Sequence, residues 1–159
     1  MMKRLRRALS QSIPTTFRLF LGLTFLIYGL AKLTIGQFGV PSDQIAAIRG
    51  EGFTIAWTFF GYSRVYEVFI GIGEVLSAIL IMIPRTKTLG AVCFFPIAIN
   101  VMMVNYCYQI GVQDLSTVMV MMNLFLLWLE RKKFALLFWH ADQIERHWPQ
   151  INRKGEKQS

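Results

Sequence analysis

The sequence predicts an all-α membrane protein: a four-helix transmembrane bundle with both termini in the cytoplasm, an outer interfacial segment and a C-terminal amphipathic helix. Three observations lead there. The 159 residues are 54% hydrophobic and 14% aromatic, with a mean hydropathy of +0.44, which leaves too little polar surface for an ordinary soluble domain. Four apolar runs, each near the length of a membrane span, occupy residues 17–35, 65–83, 89–107 and 115–129. The 17 Lys and Arg, set against 9 Asp and Glu, gather at the ends of those runs rather than over one face.

The first run follows a basic segment, residues 1–16, that carries Lys3, Arg4, Arg6 and Arg7. No small-x-small cleavage site follows it, so the pair reads as an uncleaved signal anchor. The second run stops at Pro84-Arg85, and the third starts after the short Arg85-Thr86-Lys87-Thr88 turn, so the two form an antiparallel hairpin. The fourth ends at Glu130-Arg131-Lys132-Lys133 and is short for a span unless residues 110–114 or 134–138 extend it. In the long connection 36–64, Pro41-Ser42-Asp43 opens a short helix through Ile48 that Gly50 ends. The following stretch from Phe53 to Phe60 is too short to span and reads as an interfacial or lid-like segment, with Trp57 at the headgroup level. In the basic tail, residues 131–159, Phe134, Leu137, Ala141, Ile144 and Trp148 stand at helical spacing. They predict an amphipathic helix on the inner membrane surface, followed by a disordered end.

Orientation follows from where the cations lie. Five Lys and Arg precede or include Arg18, two lie in the second turn and seven follow from Arg131, so fourteen of the 17 share one side. The positive-inside rule makes that side the cytoplasm. Cations placed this way meet anionic lipid headgroups, and nucleic acid is not an expected partner.

Ionisable groups inside a span need partners, water or a function. Lys32 falls near the outer end of the first run, Glu67 at a similar depth in the second, and Glu74 near the midplane, so Lys32 and Glu67 can meet. Glu67, Gly71, Glu74 and Ala78 recur at helical spacing and put both carboxylates on one face among small residues, which should point into the bundle. The third run adds Asn100 and Asn105, with Pro96 freeing a carbonyl near Asn100. Asp114 stands at the outer mouth of the fourth run, and Ser116 and Asn123 share one of its faces. Together these residues predict a polar pocket for a ligand or a proton in the outer half of the bundle: Lys32, Glu67, Glu74, Asn100 and Asn105, flanked by Tyr28, Tyr108 and Asp114. Against this stands a purely structural reading, in which Lys32 and Glu67 lock two helices and the asparagines join others. A carboxyl at the midplane is either paired with a cation or neutral, and a group so held can bind or pass a proton.

Other features narrow the chemistry. Gly22, Gly29 and Gly36, seven residues apart, predict a packing groove on the first helix. Leu21-Gly22 and Leu89-Gly90 suggest a faint helix-pair duplication that would align Lys32 with Asn100. Cys93 and Cys107 lie about 21 Å apart along one helix, too far for a mutual disulfide, and read as packing residues. Both histidines, His140 and His147, fall in the C-terminal segment, so no transmembrane imidazole pair can clamp a haem and no metal site is expected. There is no phosphate-binding glycine loop, nucleophile elbow or kinase signature. No catalytic residue or resident cofactor is assigned.

The stretch Arg18-Leu-Phe-Leu-Gly-Leu-Thr-Phe-Leu-Ile-Tyr-Gly-Leu-Ala-Lys32-Leu33, with Gly73-Glu74-Val75 and the Pro84-Arg85-Thr86 turn into Leu89-Gly90-Ala91, resembles the DoxX-like family over about Arg18 to Trp128. The resemblance implies a small, multi-pass, four-helix protein of the prokaryotic plasma membrane. Founding members of that family are associated with quinone-linked oxidation of sulfur compounds and with membrane oxidoreductase complexes. Matched by position, the polar residues carried over are Lys32, Glu74 and Asn100; Gln109 and Gln113 depart from the Asp and Lys common there. The leading expectation is therefore a small subunit of a quinone-linked oxidoreductase system that binds an apolar carrier such as quinone in the polar pocket. Its partners would be the bilayer, a membrane or soluble oxidoreductase and a second copy of the chain. A proton-coupled transporter or channel and a non-catalytic scaffold or assembly factor are the alternatives.

Overall fold

The computed structural model describes residues 2–131, with side chains from residue 12 onward, and these residues form six helices and no strand. They are α1 (Met2–Thr34), α2 (Asp43–Arg49), α3 (Glu51–Gly61), α4 (Arg64–Met82), α5 (Lys87–Cys107) and α6 (Gln113–Leu129). The C-terminal amphipathic helix, both histidines and the basic tail beyond Arg131 lie outside the described residues, as do the side chains of the N-terminal basic cluster.

Three helices contain stretches long and apolar enough to cross a membrane: Ser12–Thr34 within α1, α4 and α5. The shorter α6 is also apolar. Their outward faces fit a lipid solvent, since Ile27, Phe69 and Met121 are 67%, 71% and 60% exposed. A water-soluble monomer rarely carries apolar side chains that bare over so much of its surface. The helix α1 runs from Met2 through Pro14 without a break, losing one backbone hydrogen bond there.

Each helix stops for a local reason. After α1, Gly36 takes φ +85° and its N–H bonds back to Ala31 O, a glycine-terminated end that a side chain would strain. The expected short helix beginning near Asp43 is present as α2. Gly50, at φ +87°, separates it from α3, which covers the segment expected to be interfacial. Ser63 caps α4 by accepting from Tyr66 N–H. In the α4–α5 turn, Thr86 Oγ1 donates to Leu80 O at 2.9 Å and tightens the hairpin after Pro84.

The packing follows chain order: α1 lies on α4, α4 on α5, α5 on α6, and α6 closes on α1. One core, including Leu21, Phe25, Ala78, Ile81, Phe94 and Leu126, fills the centre. A smaller cluster of Phe53, Ala56 and Ile110, with Trp57 and Val104 against it, seats α3 over one end. The α4–α5 contact is close because Gly90 is buried against the Leu80–Ile81 backbone. At the opposite end from α3, Glu130 gathers three elements: it pairs with Arg18 of α1 at 3.3 Å and Lys87 of α5 at 3.0 Å, and accepts from Thr88 Oγ1 at 3.3 Å. The start of α1's span, the start of α5 and the end of α6 therefore share one end of the bundle.

Candidate functional site

The α1–α4 interface is built on two short patterns that match each other, Gly29-Leu-Ala-Lys32 and Gly71-Ile-Gly-Glu74. A Cβ placed on Gly71 would lie 3.0 Å from Gly29 O and 3.0 Å from Lys32 Cβ; one placed on Gly29 would lie 3.0 Å from Gly71 O and 3.1 Å from Glu74 Cβ. Each glycine thus makes room for the charged residue of the facing helix. The backbones approach closely, and the two charges are sealed between them.

Inside that seal, Lys32 Nζ donates to Glu74 Oε2 at 2.7 Å, with Lys32 only 4% and Glu74 only 2% exposed. The ammonium also lies 5.3 Å from the centre of the Phe38 ring and 5.9 Å from that of Tyr28. The expected pairing of Lys32 with Glu67 is therefore corrected. Side chains lean toward the N-terminus of their own helix, and α1 and α4 are antiparallel. Lys32 accordingly leans away from the α3 end while Glu74 leans toward it, and the two meet.

Glu67 leans the same way as Glu74 and reaches the turn after α1. It accepts from the backbone N–H groups of Gln37 and Phe38 and pairs with Arg64 at 2.7 Å. Arg64 in turn donates to Leu33 O at 2.9 Å. Glu67 is a clasp on the chain leaving α1, about two turns of α4 from Glu74 and not part of the Lys32–Glu74 pair.

The rest of the predicted pocket does not assemble. Asn100 is exposed on α5, and Tyr108 and Asp114 are exposed at the α5–α6 connection. Tyr28 is 45% exposed, its ring flanking Lys32 from outside. Asn105 is buried, but its Nδ2 donates to Val101 O in its own helix. Lys32 and Asn100, aligned by the suspected duplication, occupy opposite environments. Ser116 and Asn123 share a buried face as expected, and Asn123 Nδ2 donates to Ala91 O, joining α6 to α5. Gly22 and Gly29 both face α4, whereas Gly36 serves the turn.

On the other side of Phe38 from the pair lies an open cleft of about 240 Å³, lined by Gln37, Phe38, Pro41, Ile45, Phe53 and Trp57 among others but by neither Lys32 nor Glu74. Trp57 stacks on Phe53 with ring centres 4.0 Å apart and meets Phe38 edge-on at 5.3 Å, so it belongs to an aromatic cap rather than lying free. Phe38 thus touches both the cavity and the ammonium. Gln37 Oε1 is buried without a hydrogen-bond partner. Sequence reasoning missed the cavity and the Glu130 cluster. The second had a signal: one acid at the end of the fourth run, with a basic residue at the start of the first run, Arg18, and of the third, Lys87.

Among the described residues no group of three or more His, Cys, Asp or Glu side chains comes together to hold a metal. No family model and no solved structure matches the chain. Over 135 residues, 85% of this chain and 88% of the other, it is 61% identical to the uncharacterized protein YwoB of Bacillus subtilis (strain 168). At that identity and coverage, the chain belongs to the same protein family as YwoB.

Proposed function

We propose that the chain is a DoxX-like, four-helix integral membrane protein of the prokaryotic plasma membrane, with both termini cytoplasmic. Its Lys32–Glu74 pair receives the polar head of an apolar carrier, with quinone the leading candidate. In this reading α6 is the fourth span and the Glu130 end faces the cytoplasm, where the positive-inside rule puts Arg18, Arg85, Lys87 and Arg131. The α2–α3 cap faces outward.

The observation that carries the proposal is the desolvated pair. Lys32 has three donors and gives one to Glu74. A carrier carbonyl oxygen can take another, and the adjacent carboxylate is placed to exchange a proton with it. Phe38, between the cavity and the ammonium, is the side chain that must turn aside for a ring to approach. Electrons would come from a partner oxidoreductase or a soluble reductant, and this chain's part would be to bind and orient the head group and hold a proton.

The scaffold reading is favoured by a different observation. Gly29 and Gly71 close so tightly on the pair that the charges fit as a helix lock with no ligand present. One experiment separates the two. Full-length protein in lipid nanodiscs is titrated with menaquinone and ubiquinone while its thermal midpoint is followed. A ligand at 100 times its Kd adds about 2.7 kcal/mol of stability, a readily measured rise that should vanish in the Lys32→Met/Glu74→Met double variant. No rise at saturating quinone in the wild-type protein rejects carrier binding and leaves the scaffold.

A further inference from the structure

Asn100 is the only amide or charged side chain exposed in the middle of a candidate span among the described residues. By helix rise it stands about 20 Å from the Lys87 end of α5 and about 10 Å from the Cys107 end. If α5 crosses the bilayer, the amide sits in hydrocarbon, where neither water nor lipid tails can satisfy it. No hydrogen bond to its side chain is made within the described residues.

The residues around it form a pattern. Leu89, Cys93, Pro96, Asn100, Met103 and Cys107 recur at alternating steps of four and three, the spacing of a helix–helix seam. All are exposed except Cys93, which is half-buried. The stripe bears no charge and no aromatic ring. Pro96 within it leaves the Val92 carbonyl without its usual donor.

We propose that this face of α5 is a homodimer interface, in which α5 packs in parallel against α5 of a second copy and the two Asn100 amides hydrogen-bond to each other. Two features point to a second copy rather than another protein. Copies inserted in the same sense are related by an axis along the membrane normal, so each residue meets itself at the same depth. An amide also carries both donor and acceptor and is its own complement. A single asparagine in such a seam fixes register and partner number. The interface lies away from the α1–α4 contact, so it stands whether or not the Lys32–Glu74 pair binds a carrier.

The seam places Cys107 beside Cys107 of the second copy near the end of the span, within reach of a disulfide. Full-length protein in proteoliposomes is treated with copper phenanthroline, and wild type should yield a disulfide-linked dimer. Cys107→Ser should remove most of it, Cys93→Ser, whose thiol is half-buried, should leave it, and the Cys93→Ser/Cys107→Ser double variant should abolish it. Independently, single-molecule photobleaching over a range of protein-to-lipid ratios should show two-step traces. Asn100→Leu, a change at an exposed site that leaves the fold intact, should weaken the dimer roughly three- to thirty-fold, the effect of one interhelical side-chain hydrogen bond. One-step bleaching at every ratio overturns the proposal. So does a dimer indifferent to both Asn100 and Cys107, or cross-linking of Cys107 in native membranes to a different protein in place of a second copy.

Discussion

Replacing Lys32 by methionine keeps the length and apolar stem of the side chain and deletes its charge, leaving Glu74 sealed between α1 and α4 with no cation. At 2.7 Å and an effective dielectric constant of about 20, the pair attracts by about 6 kcal/mol. Desolvating two ions costs several kcal/mol each, so the net contribution of the intact pair is near zero. Removing one partner is different, because the desolvation of the other is no longer offset. Lys32→Met and Glu74→Met should therefore each lose about 3–5 kcal/mol, whereas the double variant should lie within about 1 kcal/mol of wild type or above it. Unfolding in mixed micelles of rising SDS content, followed by the fluorescence of the four tryptophans, gives all four corners of the cycle. If the two single losses simply add in the double variant, with a coupling below about 0.5 kcal/mol, the ion pair is not what makes these residues interdependent.

Other perturbations probe the surrounding parts. Glu67→Ala removes the acceptor for the Gln37 and Phe38 amides and should sharply raise hydrogen exchange at those two positions, while Glu67→Gln, which keeps a carbonyl oxygen, should recover part of the protection; equal exchange in both variants would refute the clasp. Gly90→Val drives a branched side chain into the Leu80–Ile81 backbone and should cost at least about 1–3 kcal/mol in the same SDS titration; a neutral result would mean that α4 and α5 do not pack this closely. Glu130→Gln weakens contacts to Arg18 and Lys87, whose side chains are 14% and 26% exposed. Its cost should be about 1 kcal/mol and should shrink in 1 M salt, because partly solvated pairs are screened; a loss unaffected by salt would argue against the ionic contribution.

The helices were legible because hydropathy and breakers act locally. The second and third spans fall within two residues of α4 and α5, and Pro84 and Gly50 mark real ends. The face Glu67, Gly71, Glu74, Ala78 was also legible, because one helical period decides which residues share a side, and all four are buried. Which carboxylate met Lys32 was not. Depth counted along the axis put Lys32 level with Glu67, but the lean of each side chain toward its own N-terminus shifts the two facing charges in opposite directions. Asn100 illustrates the complementary failure. Polarity inside a span predicts a partner, but it does not say whether that partner lies within the bundle or in another molecule. Pro96 and Met103, exposed on the same stripe, turn the question outward.

The glycines and the charges of the α1–α4 interface depend on each other. Without Gly29 and Gly71 the helices would separate and admit lipid or water to the ammonium. With them, Lys32 and Glu74 are held where each is the other's only ionic partner among the described residues, and where breaking the pair is costly although keeping it stabilises little. An interface whose sole aim was adhesion would lose nothing by replacing such a pair with apolar residues of the same volume. The neighbouring cleft reaches the pair through Phe38 and is lined in part by Gln37, whose side-chain oxygen is buried without a partner. The reduced carrier, a quinol, has hydroxyl donors to give that oxygen on its way to the ammonium, whereas the oxidised quinone has only acceptors. Gln37→Leu should then weaken stabilisation by quinol more than stabilisation by quinone, without lowering the stability of the unliganded protein. The opposite outcome, lower stability and unchanged binding, would make Gln37 part of the cap and move any carrier site elsewhere.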